Sequence, residues 1–467
     1  MVSNSSFFKS NPELDERDFL IYSDQIWSYK EFFEKSDFLF KNCEREVVLI
    51  LCSRDIGTLA SYIGAARNNL IPLLVEGDIK DEALERIINK YKPRYIFHKQ
   101  DRSIRSFTQS HNVISEFSEY VLSEYDVEKK ELFDDLGLLL LTSGSTGDPK
   151  SVRITHSNLI HATKSITEYL ELSHSRIAIS MLPFHYSYGL SVLHNALMSR
   201  SKIFLSERSI LEKEIWDEII EYNVTDFSGV PFIFEIMSRM KISDAYDQLS
   251  CITQAGGKLA PKYTEHFLKL SEKHNFKYFT MYGQTEASPR ISYVPYETAK
   301  EKLGTVGIPI SCGSVSIDKI NPDSDEGELI YEGPNVCLGY AKSWNDLNSK
   351  DEFKGKIRTG DIVTIDDDGF ISIIGRTKRF VKLKGISVNM DHIESLIQNL
   401  DISCHVIGKD DKIVIVLDDV SKHQNIIQEL IQNNFNFHKS LINYEESDIS
   451  YLPSGKPNYQ ELNEKFL

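Results

Sequence analysis

Apolar runs and polar segments alternate along the first 300 residues in a way that predicts strands and helices in turn. Residues 46–52, 56–68 and 71–75 have the patterns of a strand, a helix and a second strand. The same order recurs with a helix at 157–170 before a strand at 176–181, and a helix at 213–222 before a strand at 226–230. This alternation is typical of parallel sheets covered by helices. We therefore expect an α/β fold with parallel or mixed sheets layered with helices.

The pattern changes towards the end of the chain. Strands at 315–318 and 327–332 indicate a small β-rich subdomain. From about residue 378 we predict strands at 380–383, 405–408 and 412–417, with helices at 391–400 and 424–434. This second part has the composition of a compact α+β unit that is large enough to move as a domain.

Composition narrows the class of protein. A chain of 467 residues exceeds one ordinary core, so two or three domains are expected. The net charge of −16 argues against a nucleic-acid partner and against a stable hold on an anionic membrane. The six cysteines form no C-x-x-C pair, which predicts reduced thiols in a cytoplasmic protein. We expect no secretory signal at the N-terminus and no membrane insertion.

The segment 138–151 carries the strongest chemical signal. Four leucines indicate a buried strand, and they are followed by a loop of glycines and hydroxyl residues that ends at Lys150. Glycines let backbone N–H groups converge on an anion, hydroxyls add donors, and a lysine adds charge, which predicts a phosphate site. Gly144 has the spacing of a Walker-type loop, but Pro149 replaces its last glycine and has no N–H to offer. The alternative is a polar turn between a strand and a helix.

This loop resembles the phosphate-binding signature of the adenylate-forming (AMP-binding) superfamily, which includes acyl-CoA synthetases, peptide-synthetase adenylation domains and luciferases. Ser151 stands where the family often has glycine. Further family-like segments follow in the family's order: 282–286 (Tyr-Gly-Gln-Thr-Glu), 327–329, 333–334, 339–340, 358–361 (Arg-Thr-Gly-Asp), 375–376 and 453–456 (Pro-Ser-Gly-Lys). In character the chain is closest to acyl- and aryl-CoA synthetases.

The resemblance implies that ATP and Mg²⁺ are used to activate a carboxylic acid as an acyl-adenylate, which a thiol then cleaves. The residues expected to hold the phosphates are Thr142, Ser143, Gly144, Ser145, Thr146, Gly147 and Lys150. Thr285 is expected to donate to the α-phosphate and Glu286 to hold Mg²⁺, a cation that prefers oxygen ligands.

The resemblance also assigns the nucleoside and the second half-reaction. Tyr282 would stack on adenine, with close backbone approach at Gly256 and Gly257, and Asp361 would bind the ribose hydroxyls with Arg376 nearby. The catalytic lysine would be Lys456, which acts only when its domain closes over the site. Gly385 would lie near the pantetheine channel. The implied domains are 1–376, which binds ATP and the acyl group, and a mobile 377–467, with a hinge near Lys378.

The acid and the acceptor stay open. His185 occupies the place where amino-acid-activating members carry an aspartate, which disfavours an α-amino acid, although a packing histidine is the alternative. Ser387 and Met390 depart from the family pattern in the small domain. CoA is the first candidate acceptor, and the phosphopantetheine thiol of an acyl carrier protein is the second. A non-catalytic nucleotide-binding homologue is the third hypothesis.

Overall fold

The structure is a computed structural model. It describes residues 7–11, 14–104, 111–142, 150–319, 324–383, 386–409, 411–435, 439–448, 451 and 457–467. The predicted phosphate-loop residues Ser143, Gly144, Ser145, Thr146 and Gly147 lie outside the described residues, as do Gly385 and Lys456.

The strands and helices of the described part are as follows. The strands are β1 (Asp18–Tyr22), β2 (Gln25–Ser28), β3 (Val47–Cys52), β4 (Ile71–Glu76), β5 (Tyr95–Lys99), β6 (His111–Phe117), β7 (Tyr120–Tyr125), β8 (Leu136–Thr142), β9 (Lys150–Thr155), β10 (Ile177–Ser180), β11 (Lys202–Leu205), β12 (Asp226–Gly229), β13 (Cys251–Gln254), β14 (Lys277–Tyr282), β15 (Ser292–Tyr293), β16 (Ile308–Pro309), β17 (Ser314–Lys319), β18 (Gly327–Glu332), β19 (Gly339–Ala341), β20 (Lys356–Ile365), β21 (Ile371–Arg376), β22 (Phe380–Leu383), β23 (Ile386–Asn389), β24 (Cys404–Lys409), β25 (Lys412–Leu417) and β26 (Ile442–Glu446). The helices are α1 (Tyr29–Leu39), α2 (Ile56–Arg67), α3 (Asp81–Tyr91), α4 (His156–Tyr169), α5 (Ser187–Ser199), α6 (Lys213–Glu221), α7 (Pro231–Met237), α8 (Ser243–Gln248), α9 (Pro261–His274), α10 (Met390–Gln398), α11 (Val420–Asn434) and α12 (Tyr459–Phe466).

Two large mixed sheets form the first part of the chain. One has the order β16-β15-β14-β13-β12-β10-β11-β1-β2, and its strands from β14 to β1 run parallel. The other has the order β19-β9-β8-β4-β3-β5-β7-β6, with a parallel centre of β8, β4, β3 and β5. The expected α/β architecture is therefore confirmed.

The largest core lies where both sheets meet the helices α1, α2, α4 and α5. It joins Leu20 and Ile203 of the nine-stranded sheet to Val48 and Leu138 of the eight-stranded sheet. Helix α2 is buried from Ile56 to Ala66, on every face. A helix buried all round has no polar face, which is why its sequence consists of small and apolar residues.

The later elements form separate layers. Strands β17, β18, β20 and β21 make a four-stranded antiparallel sheet, which matches the predicted β-rich subdomain. Beyond residue 380, β22 pairs with β23, while β24, β25 and β26 form a three-stranded sheet. The helix predicted at 424–434 already begins at Val420, because the Asp419 side chain caps it by accepting from the Lys422 N–H at 3.0 Å.

Two histidines pack against aromatic residues of the largest core. His156 begins α4, and His194 of α5 lies with its Nε2 2.7 Å from the Tyr62 hydroxyl. Burial lowers the pKa of His156 to about 4 and that of His194 to about 3. Both imidazoles are therefore neutral in the folded protein at neutral pH.

These histidines predict a loss of stability on acidification. Their folded-state pKa lies below the unfolded value of about 6.5, so the unfolded chain binds more protons between about pH 6.5 and about pH 4. Asp226 acts in the opposite direction, because burial raises its pKa to about 6. Each buried histidine should contribute a slope of about 1 kcal/mol per pH unit.

The measurement is the melting midpoint against pH for the wild type, His194→Gln and His161→Gln. His161 is exposed on α4, so it serves as the matched control. We expect the melting midpoint of His194→Gln to fall less steeply with decreasing pH than that of the wild type, whatever its absolute value. The midpoint of His161→Gln should fall as steeply as that of the wild type. An unchanged slope for His194→Gln would contradict the assignment.

Candidate active site

Two paired antiparallel strands precede and follow the predicted phosphate loop in the sequence. Thr142 at the end of β8 is paired with Lys150 at the start of β9, and the Thr142 hydroxyl donates to the Lys150 carbonyl at 3.4 Å. The segment following the loop is thus a strand, so the alternative of a turn between a strand and a helix is wrong. The loop also differs from a Walker loop, which is followed by a helix.

Lys150 lies beside two residues from distant parts of the chain. Its Nζ is 3.2 Å from the centroid of the Tyr340 ring, and the Tyr340 hydroxyl donates to Glu286 Oε1 at 2.7 Å. Burial lowers the pKa of Lys150 and the charge of Glu286 opposes this shift, while Lys378 adds to it. The end of the phosphate loop, the Thr-Glu motif and β19 therefore meet at one place.

Thr285 lies against the start of helix α5. Its Oγ1 is 3.2 Å from the Ser187 hydroxyl, and it begins a short 3-10 helix, Thr285–Ala287. The main chain of Glu286 is fixed as well, because its carbonyl accepts from the Cys337 N–H at 2.9 Å. The residues predicted to bind phosphate and metal are thus next to each other on a short segment that two hydrogen bonds attach to α5 and to Cys337.

Asp361 and Tyr282 are buried together, and the exposed Arg376 covers them from the solvent side. Asp361 is 4% exposed, and it accepts from the Tyr282 hydroxyl at 2.5 Å through Oδ2 and from Arg376 Nε at 3.0 Å through Oδ1. Burial and the Asp361 charge raise the pKa of Tyr282 well above its usual range. The Tyr282 ring packs in the core of the four-stranded sheet with Leu329 and Tyr331. Its stacking on adenine stays a prediction.

Of the two predicted glycines, Gly256 faces the segment 183–189 and Gly257 faces Pro231. Gly256 has a φ of +91°, and a Cβ there would lie 2.6 Å from the Tyr186 hydroxyl. A Cβ at Gly257 would meet Pro231 at 3.2 Å. Glycine at 256 is therefore required both by the left-handed backbone and by the close approach of Tyr186. Their approach to the base stays a prediction.

His185 lies in the same segment with an unsatisfied ring nitrogen. It is half-buried, its Nδ1 has no hydrogen-bond partner within the described residues, and burial lowers its pKa to about 4. The imidazole is neutral at physiological pH. A neutral ring does not attract an ammonium group, in keeping with the sequence-based preference for an acid without an α-amino group.

The predicted hinge is anchored on both sides. The Arg376 N–H donates to Asp391 Oδ2 at 3.1 Å, whereas Arg379 donates through Nε to Asp391 Oδ1 at 2.7 Å. Arg379 also pairs with Glu394 at 3.0 Å and lies 4.2 Å from the Tyr459 ring centroid. Lys378 lies between these two arginines.

A family model described as AMP-binding enzyme matches residues 7–341. The chain belongs to this family. None of the helices in the described part is long and apolar enough to cross a membrane. The described residues also contain no group of three or more His, Cys, Asp or Glu side chains arranged for a metal ion.

Named relatives share part or most of the chain. The oxalate–CoA ligase of Saccharomyces cerevisiae is 29% identical over 269 residues, which cover 56% of this chain and 48% of that protein. The 2-succinylbenzoate–CoA ligase of Staphylococcus epidermidis is 24% identical over 426 residues, 86% of each chain. The chain spans about half the length of the first relatives that it matches.

Solved structures share the fold along nearly the whole chain. The o-succinylbenzoate CoA synthetase of Bacillus subtilis, in complex with an acyl-adenylate intermediate, has a TM-score of 0.79 at 18% identity and covers 98% of both chains. ATP-bound MatB from Rhodopseudomonas palustris has a TM-score of 0.78 at 18% identity, with 99% of both chains covered. The adenylate-forming fold predicted from the motifs is confirmed.

Three contacting residues of this site had no predicted role. Tyr340 stood in a recognised Gly-Tyr motif, which was the available signal for its contact with Glu286. Ser187 lies within the segment 183–189, which resembles the mouth of the family's acyl pocket. Asp391 gave no signal, because its contact with the hinge depends on how α10 packs against β21.

The Asp361 cluster yields a stability prediction with an internal control. Tyr282→Phe removes a hydrogen bond to a carboxylate, while Tyr331→Phe in the same core removes one to the neutral Asn335 Oδ1, at 2.8 Å. Hydrogen bonds to charged groups contribute about 1.5–3 kcal/mol, against about 0.5–1.5 kcal/mol for neutral ones. Tyr282→Phe should therefore lower the melting midpoint more. Equal shifts would mean that the Asp361 contact is not charge-assisted.

Proposed function

We propose that the chain activates a carboxylic acid with ATP and transfers the acyl group to a thiol, as an acyl-CoA synthetase does. One observation carries this proposal, namely the contact of Lys150, Tyr340 and Glu286 at the base of the predicted phosphate loop. A cation and a carboxylate beside a loop of this composition fit a nucleotide triphosphate and its counter-ion. Membership of the AMP-binding enzyme family supports the same assignment.

The first step joins two anions. A carboxylate oxygen attacks the α-phosphorus of ATP, the bond to the β-phosphate oxygen breaks, and pyrophosphate leaves. Such a step needs donors and cations placed where charge builds up, more than an acid or a base. Lys150 and the hydroxyl of Thr285 are proposed for the phosphates, and Lys456 for the junction between the carboxylate and the α-phosphate.

Glu286 fits a divalent cation. Its Oε1 accepts from Tyr340, whereas its Oε2 receives no hydrogen bond from the described residues and is available to a hard cation. Mg²⁺ prefers carboxylate and phosphate oxygens, and when bound it would neutralise phosphate charge. The Tyr340 hydroxyl would orient the carboxylate, because residues that hydrogen-bond to a metal ligand commonly fix its orientation.

Asp361 fits a ribose. Each of its oxygens already accepts one hydrogen bond, from Arg376 and from Tyr282, and each retains a further lone pair. Because these partners fix the carboxylate, it would be oriented before the nucleotide arrives. We propose that the free lone pairs receive the ribose hydroxyls.

In the second step a thiol sulfur attacks the acyl carbon, AMP leaves, and the thiol proton is lost. We propose that residues 377–467 rotate about Lys378 between the two steps, since Lys456 serves only the first. CoA is the proposed acceptor. The departures at Ser387 and Met390 favour an acyl carrier protein as the alternative, because they fall on the part that would meet the thiol donor.

The proposed substrate is an acid without an α-amino group, which the neutral His185 supports. The names of the relatives include a two-carbon dicarboxylate and long-chain fatty acids, so they do not select the acid. A cytoplasmic location is also proposed. The free state of all six cysteines supports it.

The test is acid-dependent AMP release with Mg²⁺ and ATP over a panel of fatty, aryl, dicarboxylic and amino acids. Each acid is assayed with CoA, with a phosphopantetheinylated carrier protein, and with neither. Turnover with CoA supports the proposal, and turnover only with the carrier protein supports the alternative. If no acid leads to AMP release while ATP still binds, the result would favour a non-catalytic homologue.

Lys456→Ala separates the two half-reactions. We expect acid-dependent ATP–pyrophosphate exchange to fall by at least about a hundredfold, because a cation is lost from a junction of two anions. Conversion of a synthetic acyl-adenylate to the thioester should continue at close to the wild-type rate. Lys465→Ala, on the last turn of α12, is the control and should keep both activities. Equal loss of both half-reactions in Lys456→Ala would contradict the rotation.

A further inference from the structure

A buried arginine near the predicted acyl pocket lacks an acceptor among the described residues. Arg290 is 2% exposed, and its side chain makes no hydrogen bond or ion pair with any residue in the described ranges. Its Nε is enclosed without a partner. The other buried arginines of the described part differ in this respect, because Arg153 donates to Glu352 at 2.9 Å and Arg200 donates to the Lys9 carbonyl at 2.6 Å.

An unpaired guanidinium is costly in this position. Arginine keeps its proton in proteins, so it cannot escape the penalty of burial by becoming neutral. The Tyr188 ring, with its centroid 5.2 Å from Arg290 Cζ, offers a cation–π contact. The ring compensates part of the charge, but it accepts none of the five in-plane N–H groups. Those donors require oxygen atoms.

The local backbone holds Arg290 in place. The Arg290 N–H donates to the Ala287 carbonyl at 3.1 Å, and its carbonyl accepts from Asn335 Nδ2 at 2.9 Å. A Cβ at Gly283 would lie 2.9 Å from Arg290 Cα, so the segment folds tightly onto that glycine. Ser288 in the same segment is 3% exposed, and its hydroxyl also has no partner among the described residues.

The surroundings of Arg290 are the aromatic residues next to His185. Burial raises the pKa of Tyr188 to about 12, and the charge of Arg290 opposes this shift; it acts in the same sense on Tyr186. Tyr186 and Tyr188 flank the start of α5, in the segment that resembles the mouth of the family's acyl pocket. Arg290 therefore borders the space proposed for the acyl group.

The phosphate end of the site is served by other charges. The groups that perturb Lys150 are Glu286, Lys378, Lys342 and Cys337, and Arg290 is not among those identified in the described part. Arg290 acts instead on Tyr186 and Tyr188, which places it on the aromatic side of the candidate site. A carboxylate matches the guanidinium best, because its two oxygens accept two parallel N–H bonds.

We propose that Arg290 binds a second carboxylate of the acid substrate, so that the chain activates a dicarboxylic acid at its other carboxylate. This inference rests on the proposed function, since it names the substrate class of the same site. The second carboxylate satisfies the guanidinium, and the apolar and aromatic walls hold the carbon skeleton between the two acid groups. Monocarboxylic acids of equal length leave Arg290 unpaired and bind more weakly.

The first experiment measures binding without catalysis. Thermal stabilisation is recorded for succinate, glutarate, adipate and phthalate, each paired with butyrate, valerate, hexanoate or benzoate. We expect at least one diacid to stabilise the wild type more than its partner. Arg290→Met should abolish the difference, Arg290→Lys should keep part of it, and Arg208→Gln, an exposed arginine paired with Glu218, should match the wild type. Equal stabilisation within every pair would overturn the inference.

The second experiment measures acid-dependent AMP release with the same pairs. We expect Arg290→Met to lower kcat/KM for the preferred diacid by about tenfold or more, and to leave the monoacid unchanged. A similar loss for both acids would assign Arg290 a structural role. Wild-type turnover with monoacids alone would overturn the inference and keep the proposed function. Arg290-dependent diacid binding without any AMP release would support the binding role of Arg290 and overturn the proposed function.

Discussion

The geometry of the candidate site depends on one buried guanidinium. Arg153 of β9 is 0% exposed, and it donates to the carbonyls of Leu338, Tyr340, Ser349 and Lys350 and to the carboxylate of Glu352. A buried arginine is tolerated only when its donors are satisfied, so the segment 338–352 has to lie against β9. This contact pairs β19 with the strand that begins at Lys150. Tyr340 is thereby brought under the lysine and within reach of Glu286.

Arg153 and Arg290 represent two outcomes of the same physical constraint. Both are buried cations, and neither can avoid the free-energy cost of desolvation by losing a proton. Carbonyl groups of the main chain and the Glu352 carboxylate accept the hydrogen bonds of Arg153, so that residue stabilises the fold by holding the segment 338–352 against β9. For Arg290 the described residues supply an aromatic ring and no oxygen. Under the proposal that Arg290 binds a substrate carboxylate, the acceptor comes from a bound molecule, and the two similar side chains have different roles.

Much of the fold could be predicted from the sequence, because its core elements have clear periodicity. The strand Val47–Cys52 and the helix that begins at Ile56 can each be predicted from the local sequence pattern alone. Strand β9 was missed because it begins with Lys150 and carries Arg153 on a buried face, a pattern typical of an exposed segment. Its identity depends on pairing with β8 and β19, which is tertiary information. The motifs named most of the candidate site residues, but the contacts that orient them, such as that between Tyr340 and Glu286, required the assembled sheets.

The hinge contacts limit how the proposed rotation can occur. Arg376 is attached by its side chain to Asp361, whereas Arg379 is attached to Asp391 on α10, so the chain on either side of Lys378 is anchored to a different body. Several contacts nevertheless join the two parts, among them the hydrogen bonds from the Arg376 N–H to Asp391 and from Asn389 Nδ2 to the Ile374 carbonyl, and the ion pair of Lys262 with Asp401. The proposed rotation of residues 377–467 would break these contacts, whereas each arginine ion pair lies on one side of Lys378. The backbone change of the proposed rotation is therefore concentrated in the residues between the two arginines, and ligand contacts in the rotated state would compensate for the contacts that are lost.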